Sequence, residues 1–117
     1  MINSKYSNNK HGWQYAPLHQ DWRSIQGSLN CLVIWIPLTN LDNLTGGIEY
    51  IKSSHLSGLQ KTKDHSWYKA AKYYNKKTQL TKCRPKINAA ILFSSFLLHK
   101  SEINRSNKVR ISLQYRY

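Results

Sequence analysis

Apolar residues in this chain fall into short runs separated by polar turns, a pattern of strands rather than helices. Leu29 to Leu38 is dense in Val, Ile, Leu and Trp, and the stretch Asn40-Leu-Asp-Asn-Leu-Thr-Gly-Gly47 after it reads as a turn. Ile48 to Ile51 predicts a short second strand. Ala89 to Phe93 and Phe96 to His99 predict two more, or a single strand bent at Ser94-Ser95. The last segment alternates: Val109, Ile111, Leu113, Tyr115 and Tyr117 share one face, with Arg110, Ser112, Gln114 and Arg116 on the other. Only Lys61 to Lys77 carries helical spacing, through Trp67, Ala70, Ala71 and Tyr74, and its many lysines mark a surface excursion. The expected class is all-β, a sandwich or jelly roll with one insertion.

Length and composition narrow this picture without changing it. A chain of 117 residues fits one domain. No apolar run is long enough to cross a bilayer, and Met1 to Lys10 lacks the apolar middle of a secretory signal, so a cytoplasmic protein is expected. Cys31 sits inside an apolar run and reads as a small buried residue, and Cys83 has no partner at a zinc-type spacing. Lys and Arg number 18 against 5 Asp and Glu, a net charge of +13. Such a charge can steer a protein to nucleic acid. Here the lysines are dispersed from Lys5 to Lys108, with no compact basic block or binding motif, so a solvated basic surface is the expectation.

Candidate chemistry begins at His19-Gln20-Asp21. In extended backbone, residues two apart point the same way, so an imidazole and a carboxylate can grip one ion. By itself the tripeptide is also what a polar loop entering a strand looks like. His99 closes the apolar stretch from Ile91, and Arg110 follows on the polar face of the last strand. A guanidinium turned into a barrel needs a carboxylate partner, and an incoming dicarboxylate would serve. Two histidines and one carboxylate on one side of a metal leave its other positions open, the arrangement of non-haem Fe(II) oxygenases. The open positions admit 2-oxoglutarate through two oxygens, and then dioxygen.

The chain resembles the phytanoyl-CoA dioxygenase family of Fe(II)- and 2-oxoglutarate-dependent oxygenases. The matching stretches are Leu18-His-Gln-Asp-Trp22, Gln26-Gly-Ser28, Val33-Ile-Trp-Ile-Pro-Leu-Thr39, Gly46-Gly-Ile-Glu-Tyr-Ile51 with Ser54-His55, and Leu97-Leu-His-Lys-Ser101 through Asn104-Arg-Ser106 to Arg110. The resemblance implies a double-stranded β-helix (a cupin-like jelly roll) with His19, Asp21 and His99 as iron ligands. It implies Arg110 on the distal carboxylate of 2-oxoglutarate with Ser101 beside it, and Gln20 and Trp35 lining the co-substrate pocket. His55 matches a position that is usually structural. His11 and His65 lie in polar segments, and Trp13, Tyr15 and Trp22 flank the ligand pair, as active-site wall or as packing.

The chain departs from the family pattern in two turns. Relatives usually read Pro-Gly-Ser-His where it has Lys52-Ser-Ser-His55, and Gly-Asp where it has Asn88-Ala89. Relatives are also much longer, with helices and first strands ahead of the H-x-D segment. Residues 1–117 are therefore expected to be a single C-terminal portion of such a domain, incomplete at its N-terminal end. Three readings follow: an oxygenase hydroxylating a small organic substrate, a non-enzymatic jelly-roll fragment that keeps the ligands, or a small basic nucleic-acid-binding protein. The ligand triad and Arg110 weigh against the third.

Overall fold

Alternation in Leu32–Pro37 makes this strand, β2, the centre of the structure: Val33, Trp35 and Pro37 are buried, while Leu32, Ile34 and Ile36 face outward. A computed structural model describes residues 2–3, 16–62 and 79–117. Within them, β1 (Ile2–Asn3), β2, β5 (Ile91–Ser94) and β7 (Arg110–Arg116) form one sheet in the order β1-β7-β2-β5. A second sheet has the order β4-β3-β6, from Thr81–Cys83, Ile48–Tyr50 and His99–Ser101. Every pairing is antiparallel. Val33, Trp35 and Phe93 from the first sheet meet Ile48 and Leu97 in one apolar core. The expected all-β, two-sheet architecture is what the chain adopts, and no described helix is long and apolar enough to cross a membrane.

The expected strand from Phe96 to His99 is not formed: the chain turns after β5, the next strand begins at His99 rather than ending there, and the two belong to different sheets. Ser95 ends the first by donating its backbone N–H to the Cys31 carbonyl at 3.0 Å, and Leu97 N–H turns back to Ser94 O at 2.8 Å. The chain then crosses to the other sheet, with Leu98 N–H held by Ser54 Oγ at 2.9 Å. Strand β4, the four-residue helix α1 (Trp22–Ile25) and the 3-10 turn Ser54–Ser57 went unforeseen. Each is too short to show a period. The helical expectation over Lys61 to Lys77 falls largely on residues outside those described. Cys31 and Cys83 are both free thiols, Cys31 buried.

Polarity is inverted on β7. Its polar residues face the cavity, Arg110 buried within it and Gln114 and Arg116 at its exposed rim, and its apolar ones lie on the outer face of the sheet. There Ile111, Leu113 and Tyr115 stand level with Leu38, Ile36 and Ile34 of the neighbouring chain segment, and Leu92 of β5 extends the same face. Leu92, Tyr115 and Leu113 are 61%, 57% and 41% exposed, an apolar surface of unusual extent.

The two turns that depart from the family pattern both carry backbone strain. Ser53 has φ +60° and Asn88 φ +71°, the left-handed region where a side chain is penalised and glycine is not. These are the positions at which the resemblance to the family pattern implies glycine. Ser53→Gly is expected to stabilise the protein by about 0.5–1 kcal/mol, and Asn88→Gly by less, because asparagine tolerates this region. A shift of the urea midpoint at unchanged slope is the measurement that checks it.

Candidate metal centre

His19 and His99 are brought together by backbone. Each donates its N–H to the other's carbonyl, at 2.9 and 3.0 Å, in a single antiparallel bridge on the edge of β6 away from β3. Directly paired residues project to the same side, and the two imidazoles lie with ring centroids 4.3 Å apart. Asp21, two residues after His19, points the same way. Its Oδ1 lies 3.4 Å from His19 Nε2 and its Oδ2 3.5 Å from His99 Nε2. One donor atom from each of the three residues falls within 4.8 Å of the others, and all three side chains are buried.

The tautomers follow from the hydrogen bonds. His19 Nδ1 is 2.7 Å from the Pro17 carbonyl, and His99 Nδ1 is 2.9 Å from the Leu97 carbonyl. A carbonyl only accepts, so each Nδ1 carries a proton and each ring turns its Nε2 towards the Asp21 carboxylate. Two imidazole Nε2 atoms and a carboxylate converging on one point form a donor set that could hold a metal ion. This donor set fits a divalent transition metal.

Electrostatics favour the ligating states. Burial pushes the His99 pKa down to about 4, aided by His19, so the ring is neutral at pH 7. Burial would raise the Asp21 carboxyl, but the hydrogen bond with the His19 ring, together with the neighbouring Arg116, lowers it to about 2. A consequence follows for the metal-free protein. Below the ordinary histidine value of 6.5 the unfolded chain takes up a proton that folded His99 refuses until about pH 4. Stability is therefore full above 6.5 and falls as pH drops towards 4, by about 3 kcal/mol. Urea midpoints at pH 7 and pH 4.5 are expected to differ accordingly, and a flat profile would contradict the neutral, buried ring.

A cavity of about 370 Å³ opens beside the triad, in the range of small-molecule sites. Trp35, Ser101 and Arg110 line it, together with Ser112, Gln114 and Arg116 from the same face of β7. Arg110 is 4% exposed, and its Nη1 donates to the carbonyls of Thr45, Gly47 and Glu102 at 3.3, 3.0 and 2.9 Å. Burial lowers its pKa, opposed by the charge of Glu102. The Glu102 carboxylate is itself occupied: it accepts from Gly47 N–H at 2.9 Å and from Arg84, with Lys82 at 3.3 Å. Gly47 can belong only to glycine here, since a Cβ would stand 2.2 Å from the Cys83 carbonyl. Ser101 Oγ accepts from Ala16 N–H at 3.2 Å at the cavity wall.

Gln20 is placed elsewhere. As the middle residue of H-x-D it points away from the ligands, and it does not line the cavity. Its Nε2 donates to the Gly58 and Phe96 carbonyls at 2.8 and 2.7 Å, and its Oε1 accepts from Gln60 N–H at 2.8 Å. These bonds pin the loop after the 3-10 turn. His55 is exposed and joins no metal-ligating cluster among the described residues, and Trp22 stacks on Phe96 at 5.5 Å. His11, His65, Trp13 and Tyr15 lie outside the described residues. The residues that sequence reasoning missed are Gln114 and Arg116. Gln114 Nε2 donates to Asp21 Oδ2 at 2.7 Å, and Arg116 Nη2 to Asp21 Oδ1 at 3.1 Å. The alternation of β7 puts both on the face of Arg110, and that shared face was the available signal.

Solved structures share this fold. A non-heme monooxygenase, ThoJ, in its apo form is 17% identical, with a TM-score of 0.74 over 99% of this chain and 42% of its own. The epimerase SnoN, in complex with Fe3+, alpha ketoglutarate and nogalamycin RO, is 14% identical with a TM-score of 0.74, over 97% of this chain and 44% of its own. EvdO2 from Micromonospora carbonacea var. aurantiaca, complexed with 2-oxoglutarate, is 14% identical with a TM-score of 0.69, over 98% and 47%. The chain thus spans less than half the length of each. No curated protein matches it. The phytanoyl-CoA dioxygenase profile matches residues 1–112, and by that match the chain belongs to the phytanoyl-CoA dioxygenase (PhyH) family.

Proposed function

We propose that the chain binds Fe(II) through His19, Asp21 and His99, holds 2-oxoglutarate against Arg110, and hydroxylates a small organic substrate. The carrying observation is the convergence of two imidazole Nε2 atoms on one buried carboxylate, each ring fixed by a carbonyl behind it. In this reading one oxygen atom of dioxygen enters the substrate C–H bond. The other enters 2-oxoglutarate as it loses carbon dioxide to become succinate. The iron supplies the site at which dioxygen is reduced.

The chain's own residues do the positioning. Arg110, fixed at Nη1 by three carbonyls, offers its guanidinium to the distal carboxylate of the co-substrate, with Ser101 as a hydroxyl nearby and Trp35 as an apolar wall. The pinned Nδ1 atoms keep both histidines in the ligating tautomer. The Glu102–Arg84 pair holds the Gly46-Gly47 turn and so the carbonyls that aim Arg110.

The second reading is a non-catalytic jelly roll that keeps its ligands. Anaerobic addition of Fe(II) and 2-oxoglutarate tests both. A metal-to-ligand charge-transfer band followed by succinate release on admitting air is the expected result. The band without succinate would favour the second reading, and no band would remove the iron and co-substrate assignment.

A further inference from the structure

Asp21 is 1% exposed, yet neither of its oxygens is left to the metal alone. Gln114 donates to Oδ2 and Arg116 to Oδ1, both from the inner face of β7, on the opposite sheet from the histidine pair. A carboxylate gripped on both oxygens cannot rotate about its own axis. We propose that Gln114 and Arg116 are positioning residues of the metal centre: they fix the plane of the Asp21 carboxylate so that it meets a divalent metal through one oxygen. This rests on the iron-site reading above.

The two donors have different tasks. Gln114 is neutral, and its short bond sets geometry. Arg116 supplies the positive charge nearest the carboxylate and balances it before a metal arrives; its side chain is 42% exposed, so it reaches inward from the rim. When a metal takes one oxygen, the donor on the other stays in place and keeps the second oxygen out of the coordination sphere. Carboxylate partners of this kind commonly change metal affinity by about 10- to 100-fold when removed. Two-oxygen ligation by Asp21 would occupy a position needed for co-substrate or dioxygen.

Co(II) titration of the full chain, followed by visible absorbance, reads this directly without requiring turnover. Arg116→Ala and Gln114→Ala are each expected to weaken Co(II) binding by about 10- to 100-fold. Arg116→Lys, which keeps a charge at the rim, is expected to recover part of the loss. At saturation the Ala variants are expected to show a changed band shape and intensity, because a freed carboxylate changes the coordination number. A merely structural role would leave that spectrum unmoved. Both positions are exposed enough that the variants fold, which thermal melts of the metal-free proteins check. Wild-type binding with unchanged affinity and spectrum in both Ala variants overturns this inference and leaves the metal site standing. Failure of the wild type to bind Co(II) overturns both.

Discussion

Asp21→Ala is expected to remove divalent-metal binding from the micromolar range altogether. The carboxylate is the one anion among the three donors, so its loss takes a ligand and the charge that draws a dication into a buried site. Apparent affinities of structural metal sites run to about 10–16 kcal/mol over four ligands, or about 2.5–4 kcal/mol each. That corresponds to a loss of roughly 60- to 700-fold for a single ligand. The substitution also strips Gln114 and Arg116 of their acceptor, but both can turn to water at the rim. Asp21→Asn is the informative companion. It keeps the shape and one hydrogen-bonding oxygen while losing the charge. Comparable losses in both variants, measured by Co(II) titration, assign the effect to charge and ligation. Retained affinity in Asp21→Ala would place the metal elsewhere.

Arg110 carries the second large effect. Arg110→Ala is expected to weaken 2-oxoglutarate binding to the iron-loaded protein by about 2–5 kcal/mol, because the distal carboxylate would be buried without a partner. The structure complicates this variant usefully. Arg110 Nη1 also satisfies the carbonyls of Thr45, Gly47 and Glu102, so alanine leaves buried acceptors unpaired and lowers stability too. Arg110→Lys separates the two effects. An ammonium can reach one or two of those carbonyls but loses the planar fork, so co-substrate affinity falls while much of the stability returns. Iron binding survives both changes, since Arg110 lies outside the ligand set. Equal 2-oxoglutarate affinity in wild type and Arg110→Ala, read from the charge-transfer band, would take Arg110 out of the site.

Much of the candidate site was legible because its parts obey the period of a strand. His19 and Asp21 sit two apart, and Arg110 falls on the polar face of a clean alternation. The same rule, applied to the middle of H-x-D, turns Gln20 away from the cavity, where it is found pinning Gly58 and Gln60. What could not be read was anything depending on a partner distant in sequence. The His19–His99 bridge joins residues by two backbone hydrogen bonds that leave no trace in composition. Glu102 reads as a lone acid in a polar loop, yet it is buried behind Arg110 and held well below the usual carboxylate range, at about 2: burial opposes this, and Arg84, Gly47 N–H and Lys82 enforce it. Gln114 and Arg116 showed their face but not their target. Strand β4 has three residues and no alternation of burial, so pairing with β3 alone defines it.

The inverted polarity of β7 has a thermodynamic corollary. A slip of one residue would exchange the faces of the strand, turning Ile111, Leu113 and Tyr115 inward and Arg110, Gln114 and Arg116 out. Burial of apolar area alone would favour that exchange. What opposes it is polar and local: three carbonyls on Arg110 and one carboxylate shared by Gln114 and Arg116. A ligand that recognises only the native arrangement stabilises it by RT ln(1 + [L]/Kd). On the proposed function, metal and co-substrate would therefore also select strand alignment, linking occupancy of the site to the register of the sheet.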